Sequence, residues 1–310
     1  YVDMPVNWCE ELGTVLSNDE VIDGKSERGG YPVIRKNMKQ LCIDQAAFAE
    51  RLLEGLNEID WPESTKEMQR NWIGRSTGVE VQFDIVGGGK FSIFTTCIET
   101  IYGITFMVLA PDGDLVQELM PRIQNQEEVK AYIQETVSKS EMDRTELNKG
   151  KTGCRLEGIK AINPVNGREV EVFIGDFVLA NYGTGAVMAV PSHDQRDFEY
   201  AIAHNIDRIQ VIEGQDVSEH AFEKQDYLGK GCKLINSEEF TGLTVEEAKV
   251  AITKKLVDMG IAKETVNYRF REWIFARQRY WGEPVPIVHL EDGTAVSYTH
   301  LRAHETRGNL

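Results

Sequence analysis

The sequence predicts an α+β fold with a mixed, barrel-like β-sheet and surrounding helices, and three observations carry that prediction. Val79, Val81, Phe83 and Ile85 alternate with Glu80, Gln82 and Asp84, which gives a strand with one apolar and one wet face. Gly87-Gly-Gly89 then supplies the permissive backbone of a three-residue hairpin loop, and the stretch from Lys90 to Thr96 runs back as its partner. Strands dominate the middle of the chain, and segments with helical spacing decorate it.

The first thirty residues, including Trp8-Cys9 and Ser26-Glu-Arg-Gly-Gly30, are rich in turn signals and are expected to be irregular or short-stranded, with little core of their own. Ala46, Ala49, Leu52, Leu53 and Leu56 fall three or four apart and mark one face of a helix. Ser64-Thr-Lys-Glu67 after Pro62 reads as a capping box that opens a second helix through Arg70. Beyond the hairpin, strands are expected over residues 104–109, 170–179 and 209–212, and helices over 126–137, 194–204 and 244–259. Thr244 and Glu247 form a capping box for the last helix and Gly260 its stop. Residues 78–268 are thus expected to be one domain, inserted between a lead-in of residues 1–77 and a return segment of residues 269–296. Residues 297–310 lack periodicity and are basic where the body is acidic, which reads as a cloning-derived tail, with a natural basic arm as the competing reading.

A length of 310 residues at 41% hydrophobic content is enough for a real core. The formal charge of −16 has the wrong sign for a protein that grips polynucleotides by non-specific counterion release, so any RNA must be recognised locally. Cys9, Cys42, Cys97, Cys154 and Cys232 stand singly, without a C-x-x-C pair, which argues against a disulfide framework or a four-ligand zinc site. No apolar run approaches the roughly 20 residues of a membrane span and no secretory signal opens the chain. A cytoplasmic monomer is expected. The chain starts at Tyr1 rather than at a methionine and is expected to be a piece of a longer polypeptide.

Two segments carry candidate chemistry. Phe94-Thr95-Thr96-Cys97-Ile98-Glu99-Thr100 ends a strand in three hydroxyl side chains, which serve either as ordinary strand residues or as hydrogen-bond partners at the edge of a pocket. The run from Tyr182 to Asp197 goes from a glycine turn through a small-residue strand to a helix N-terminus. In it Gly183 and Gly185 allow a ligand close to the backbone. Asp194 is placed as N-cap and Asp197 as the third helical residue. One cap needs one acceptor, so the second carboxylate either caps as well or receives a cationic group such as an α-ammonium. His193 beside them is either a hydrogen-bonded structural residue or a base. Two further runs, Asn71-Trp-Ile-Gly-Arg-Ser76 and Arg277-Gln-Arg-Tyr-Trp-Gly-Glu-Pro284, combine basic and aromatic residues, either as RNA contacts or as anchors at a hinge.

Taken in order, Trp61-Pro-Glu-Ser64, Met68-Gln-Arg-Asn-Trp-Ile-Gly-Arg-Ser76, Gly183-Thr-Gly-Ala-Val-Met-Ala-Val-Pro191, His193-Asp-Gln-Arg-Asp197 and Arg277-Gln-Arg-Tyr-Trp-Gly282 closely resemble bacterial leucyl-tRNA synthetases, from Val6 to about Val296. The resemblance implies an editing domain flanked by pieces of a Rossmann-like class I catalytic domain. It implies hydrolysis of the aminoacyl ester of tRNA(Leu) carrying a non-cognate amino acid at its 3′ end. It further implies Thr95, Thr96, Asp194 and Asp197 as catalytic, with Asp197 holding the substrate's amino group. Thr100, Tyr182, Val187, Met188, His193 and Arg196 are implied as substrate-binding, with Thr100 blocking leucine.

Relatives commonly carry Arg-Pro-Asp where this chain has Cys97-Ile98-Glu99, so any contact from that arginine is lost. The family's His-Ile-Gly-His and Lys-Met-Ser-Lys-Ser signatures occur nowhere in the chain, so ATP and magnesium are expected to serve only the full-length parent, and no charging of tRNA is expected here. No cofactor is expected for editing. Some relatives hold zinc near Trp8 to Gly30, where only Cys9 stands, and no zinc is expected. The remaining partner is the rest of the parent synthetase. An isoleucyl- or valyl-type editing domain and a non-catalytic tRNA-docking module are the alternative readings.

Overall fold

Strand β1, Ser76–Ile85, is the member on which the larger sheet is built, and its apolar set Val79, Val81, Phe83 and Ile85 is buried as its alternation demands. The computed structural model describes residues 1–138, 144, 152–180, 183–270, 272–274 and 287–297. They fall into two units, Leu53–Arg269 and the paired ends Tyr1–Leu52 with Phe270–Leu310. The Arg277 run, Tyr182 and the residues beyond 297 lie outside the described residues.

In the larger unit β1 is followed by β2 (Lys90–Thr95), β3 (Phe106–Leu109), β4 (Gly153–Ile162), β5 (Glu169–Gly175), β6 (Ala186–Ala189) and β7 (Ala262–Asn267). The sheet order is β6-β3-β5-β4-β1-β7, and β2 pairs with the other edge of β1. Among the described residues only β3 and β5 run parallel, from Glu171 opposite Phe106 to Ile174 opposite Leu109, and the remaining pairs are antiparallel. The sheet is mixed, as expected, but it is not a closed barrel. Strands β2 and β6 come alongside each other without a ladder, and the side chains of Phe94 and Val187 line the gap between them.

Its helices among the described residues include α1 (Glu63–Ile73), α2 (Asp114–Leu119), α3 (Gln126–Ser138), α4 (Gln195–Ala203), α5 (Lys224–Tyr227) and α6 (Val245–Asp258). Helix α6 opens with the expected reciprocal bonds between Thr244 and Glu247, and Gly260 beyond its end takes a φ of +73°. Helix α1 departs from its expectation. Its N-cap is Pro62, whose carbonyl takes the amides of Thr65 and Lys66, so Ser64 lies inside the first turn and caps nothing. The helix runs past Arg70 to Ile73, where Gly74 stops it at φ +61° with its amide on the Arg70 carbonyl.

Other boundaries moved for local reasons. The hairpin loop spans residues 86–89, because the Ile85 amide bonds the Gly89 carbonyl and the Arg122 guanidinium holds the carbonyls of Val86 and Gly88. Strand β5 stops at Gly175, where the Val178 amide turns back onto the Gly175 carbonyl, so residues 176–179 leave the strand. Residues 209–212 make a single bridge, Ile212 to Leu234, because the Val211 amide is taken by His193 instead of a neighbouring strand.

One large apolar cluster, including Phe83, Ile93, Ile98, Ile101, Ile104, Leu156 and Ile159, fills one side of the sheet, and Phe106, Phe173 and Tyr200 stack on the other. Burying each such side chain contributes roughly 1.5–3 kcal/mol.

Among the described residues the smaller unit is built on a three-stranded sheet of Val2–Cys9, Thr14–Leu16 and Ile34–Gln40, with three two-stranded pairs, all antiparallel. The lead-in is thus more regular than its turn signals suggested, and it buries Val6, Cys9, Val15 and Leu16. Next in sequence come a 3₁₀ turn, Ala46–Phe48, and a helix, Ala49–Gly55, where the apolar spacing placed one.

Strands β1 and β2 meet closely at Gly78, where a Cβ would lie 2.3 Å from the Thr95 carbonyl oxygen and 2.7 Å from the Phe94 ring. Backbone cannot yield as a flexible side-chain tip does, so Gly78→Ala is expected to cost about 1–3 kcal/mol of unfolding free energy in a urea melt. A variant within error of the parent would show that the two strands are not held at this spacing.

Candidate functional site

Strand β2 ends at Thr95, and the chain then turns on its own hydroxyl groups. The Thr95 hydroxyl accepts the Cys97 amide at 3.0 Å, and the Thr100 hydroxyl donates to the Cys97 carbonyl at 2.9 Å from within the 3₁₀ turn Ile98–Gly103. The Thr96 carbonyl accepts the Lys249 ammonium of α6 at 2.9 Å. This threonine turn is one wall of a cavity of about 510 Å³.

The opposite wall comes from β6 and α4. Val187 and Met188 lie on β6, in register with Val108 and Met107 of β3. The chain then turns through Val190, whose carbonyl takes the amides of His193 and Asp194, and enters α4. Asp194 is the N-cap, and its Oδ1 accepts the amides of Arg196 and Asp197, each at 3.0 Å. Capping therefore needs only Asp194. Asp197, 8% exposed, reaches back so that its Oδ2 accepts the Val190 amide at 2.9 Å, and it lines the cavity.

The cavity brings together Thr95, Thr96, Thr100, Val187, Met188, His193, Asp194 and Asp197. Arg196 is exposed on α4 and is not among the lining residues, and Tyr182 lies outside the described residues. His193 touches the cavity with both ring nitrogens engaged: Nε2 accepts the Val211 amide at 3.0 Å, so Nδ1 carries the proton and donates to the Phe222 carbonyl at 3.0 Å. Burial pushes its pKa down to about 4, against a smaller upward pull from the Phe222 carbonyl. It is a neutral brace between two loops, and it also lines the cavity.

Sequence reading did not find Ser76, Phe94, Cys97, Val190 and the stretch Glu223, Lys224, Gln225 and Tyr227, all of which line the cavity. Ser76, Phe94, Cys97 and Val190 lay inside motifs already singled out. Residues 223–227 belong to no motif and have no periodicity. Tyr227 is 1% exposed and packs edge-on to His193 at 6.0 Å. A second cleft of about 230 Å³ shares Phe94 and Val187 with the first and adds Gly183, Thr184, Ala186, Asn267 and Tyr268. Gly183, which lines it, and Gly185 take φ of +64° and +68°, the left-handed region that glycine adopts readily.

Residues 70–257, more than half of the chain, match the family described as the leucyl-tRNA synthetase editing domain. The chain belongs to that family. Its fold is similar to that of an Agrobacterium radiobacter LeuRS solved as a ternary complex with tRNA and LeuAMS, at a TM-score of 0.72 and 30% identity. The similarity covers 96% of this chain and 33% of the other, so the chain spans about a third of that synthetase's length. The family match begins within α1 and ends within α6, and so encloses both walls of the cavity.

The buried histidine makes stability depend on pH in a defined direction. The unfolded His193 binds a proton near the ordinary value of 6.5 and the folded one only near 4. The unfolded state therefore holds more protons between these limits, and the contribution is complete above about 6.5 and is lost as pH falls towards 4. Urea midpoints across that window should fall for the parent chain and fall less steeply for His193→Asn, with a residual slope from His204, whose pKa burial also lowers. Equal slopes in the two proteins would show that His193 is not buried neutral.

Proposed function

We propose that this leucyl-tRNA synthetase editing domain hydrolyses the ester between a non-cognate amino acid and the 3′-terminal ribose of tRNA(Leu). The observation that carries the reading is the convergence of the threonine turn and Asp197 on one cavity from opposite walls. The ester is already activated, so the site has to position it near a held water and to stabilise the developing oxyanion, which hydrogen bonds can do. Asp197 receives the substrate ammonium, because a nearly buried carboxylate in an open cavity suits a cation better than any neutral group. Thr95 and Thr96 orient the ester or the water, Thr100 limits the side-chain space, and Met188 with Val187 forms a wall for the adenosine. Asp194 acts by fixing α4, and the neutral, doubly bonded His193 is not the base. Similarity to a synthetase solved with tRNA supports an RNA partner. With a charge of −16 on the chain, recognition is confined to the 3′ end while the parent's other surfaces supply the rest.

Editing is needed because an apolar pocket separates side chains differing by one methylene by only about 1–3 kcal/mol. Catalysis is tested on Asp197. Asp197→Ala also orphans the buried Val190 amide, which costs about 1–3 kcal/mol of stability, so a difference in rate alone would not isolate the charge. Asp197→Asn keeps an oxygen for that amide while removing the charge and turning the other carboxylate oxygen into an N–H donor. The Asn variant is expected to melt close to the parent and to lose more than about ten-fold in single-turnover deacylation of isoleucyl-tRNA(Leu), the loss of one charge-assisted bond. An Asn variant that deacylates at the parental rate would return Asp197 to a purely structural role and favour a tRNA-docking module. No leucine-dependent ATP–pyrophosphate exchange is expected from the chain, and exchange above a no-enzyme blank would contradict that assignment.

A further inference from the structure

Glu99 is the most deeply buried carboxylate beside the cavity, 1% exposed on the 3₁₀ turn one residue before Thr100. Its Oε1 accepts the Tyr227 hydroxyl at 3.3 Å, across 128 residues of sequence, and its Oε2 has no hydrogen-bond partner. A carboxylate in this position costs several kcal/mol in desolvation unless something holds it, so a side chain serving only to fill space would be apolar. Tyr227 and Thr100 both line the cavity, and Tyr227 ends the short helix α5 that carries Lys224 and Gln225 into the same wall. The Glu99–Tyr227 bond therefore ties the threonine turn to the α5 wall. The charges facing Glu99 are Lys249 of α6 and Lys224 of α5, both of which pull its pKa down against the larger upward push of burial. Lys249 also holds the Thr96 carbonyl, so the same turn is fixed at both ends.

We infer that Glu99 and Tyr227 are a positioning pair that sets the spacing between the threonine turn and the α5 wall, and so the size of side chain the cavity admits. The inference rests on the hydrolytic reading given above and adds to it the residues that tune its selectivity. Neither residue is given a role in bond cleavage. Removing the bond frees the turn that carries Thr100, and the cavity then tolerates the cognate leucine.

The test uses the whole chain and measures kcat and KM separately for isoleucyl-tRNA(Leu) and leucyl-tRNA(Leu), with a melting curve for each protein. Tyr227→Phe removes one hydroxyl and is expected to lower the ratio of the two kcat/KM values by roughly ten-fold or more, chiefly through faster hydrolysis of the leucyl ester. Glu99→Ala is expected to do the same. The double variant should lose no more than either single change, because both remove one bond. Glu99→Gln retains an acceptor for the Tyr227 hydroxyl and should keep most of the discrimination. Lower melting temperatures with an unchanged ratio would overturn the inference and leave the pair merely structural, and so would losses that multiply in the double variant. If one single variant fails to fold, the other carries the same comparison. A parent that hydrolyses neither ester would remove the hydrolytic reading and this inference with it, whereas a discriminating parent with equally discriminating variants would remove the inference alone.

Discussion

A strand that leaves its sheet has to satisfy the amides at its end, and at the end of β6 that requirement organises the site. The Val190 amide is buried where the chain turns from β6 into α4, and it is taken by the carboxylate of Asp197, one turn into the helix. The bond locks the exit of the strand to the entry of the helix. With that corner fixed, Val187 and Met188 keep their register on β3, and Asp194 faces the first amides of α4. His193 reaches Val211 and Phe222 from the same corner. The group proposed to hold the substrate is thus also the one that holds the corner, so its position is set by folding before any ligand arrives.

Much of this was legible in the sequence, and for specific reasons. Strand β1 and its hairpin could be read because alternation over residues 79–85 is unbroken. Helix α6 could be read because both of its termini carry chemistry that acts locally. Strand β4 was missed although it is ten residues long, because its alternation slips by one at Glu157-Gly158, where the pairing with β5 shifts register and Gly158 takes φ +86°. The reverse error, a strand over residues 209–212, arose because apolar side chains there serve the core while the Val211 amide goes to a histidine eighteen residues away. Such a bond leaves no trace in local pattern.

The site divides in the same way. Its two long walls come from motifs in which neighbours in sequence are neighbours in space, and these were found. The third wall, around α5, is a four-residue helix whose contribution comes from its placement against the threonine turn, not from its own pattern. The segment Cys97-Ile98-Glu99 stood out only as a departure from the family's Arg-Pro-Asp. The structure gives the departure a physical content: Ile98 and Glu99 both turn inward, the first into the apolar core and the second onto Tyr227. The expected loss of an arginine contact is therefore accompanied by an anchor of a different kind, directed at the interior.

The unpaired seam between β2 and β6 sets how this domain yields under load. Elsewhere in the sheet, separating two neighbouring strands means breaking a ladder of backbone bonds. Along this line no ladder has to break, and Phe94 and Val187 flank the cleft between the strands. The seam is therefore the compliant direction of an otherwise cross-braced shell. Opening it would leave every backbone ladder of the sheet intact.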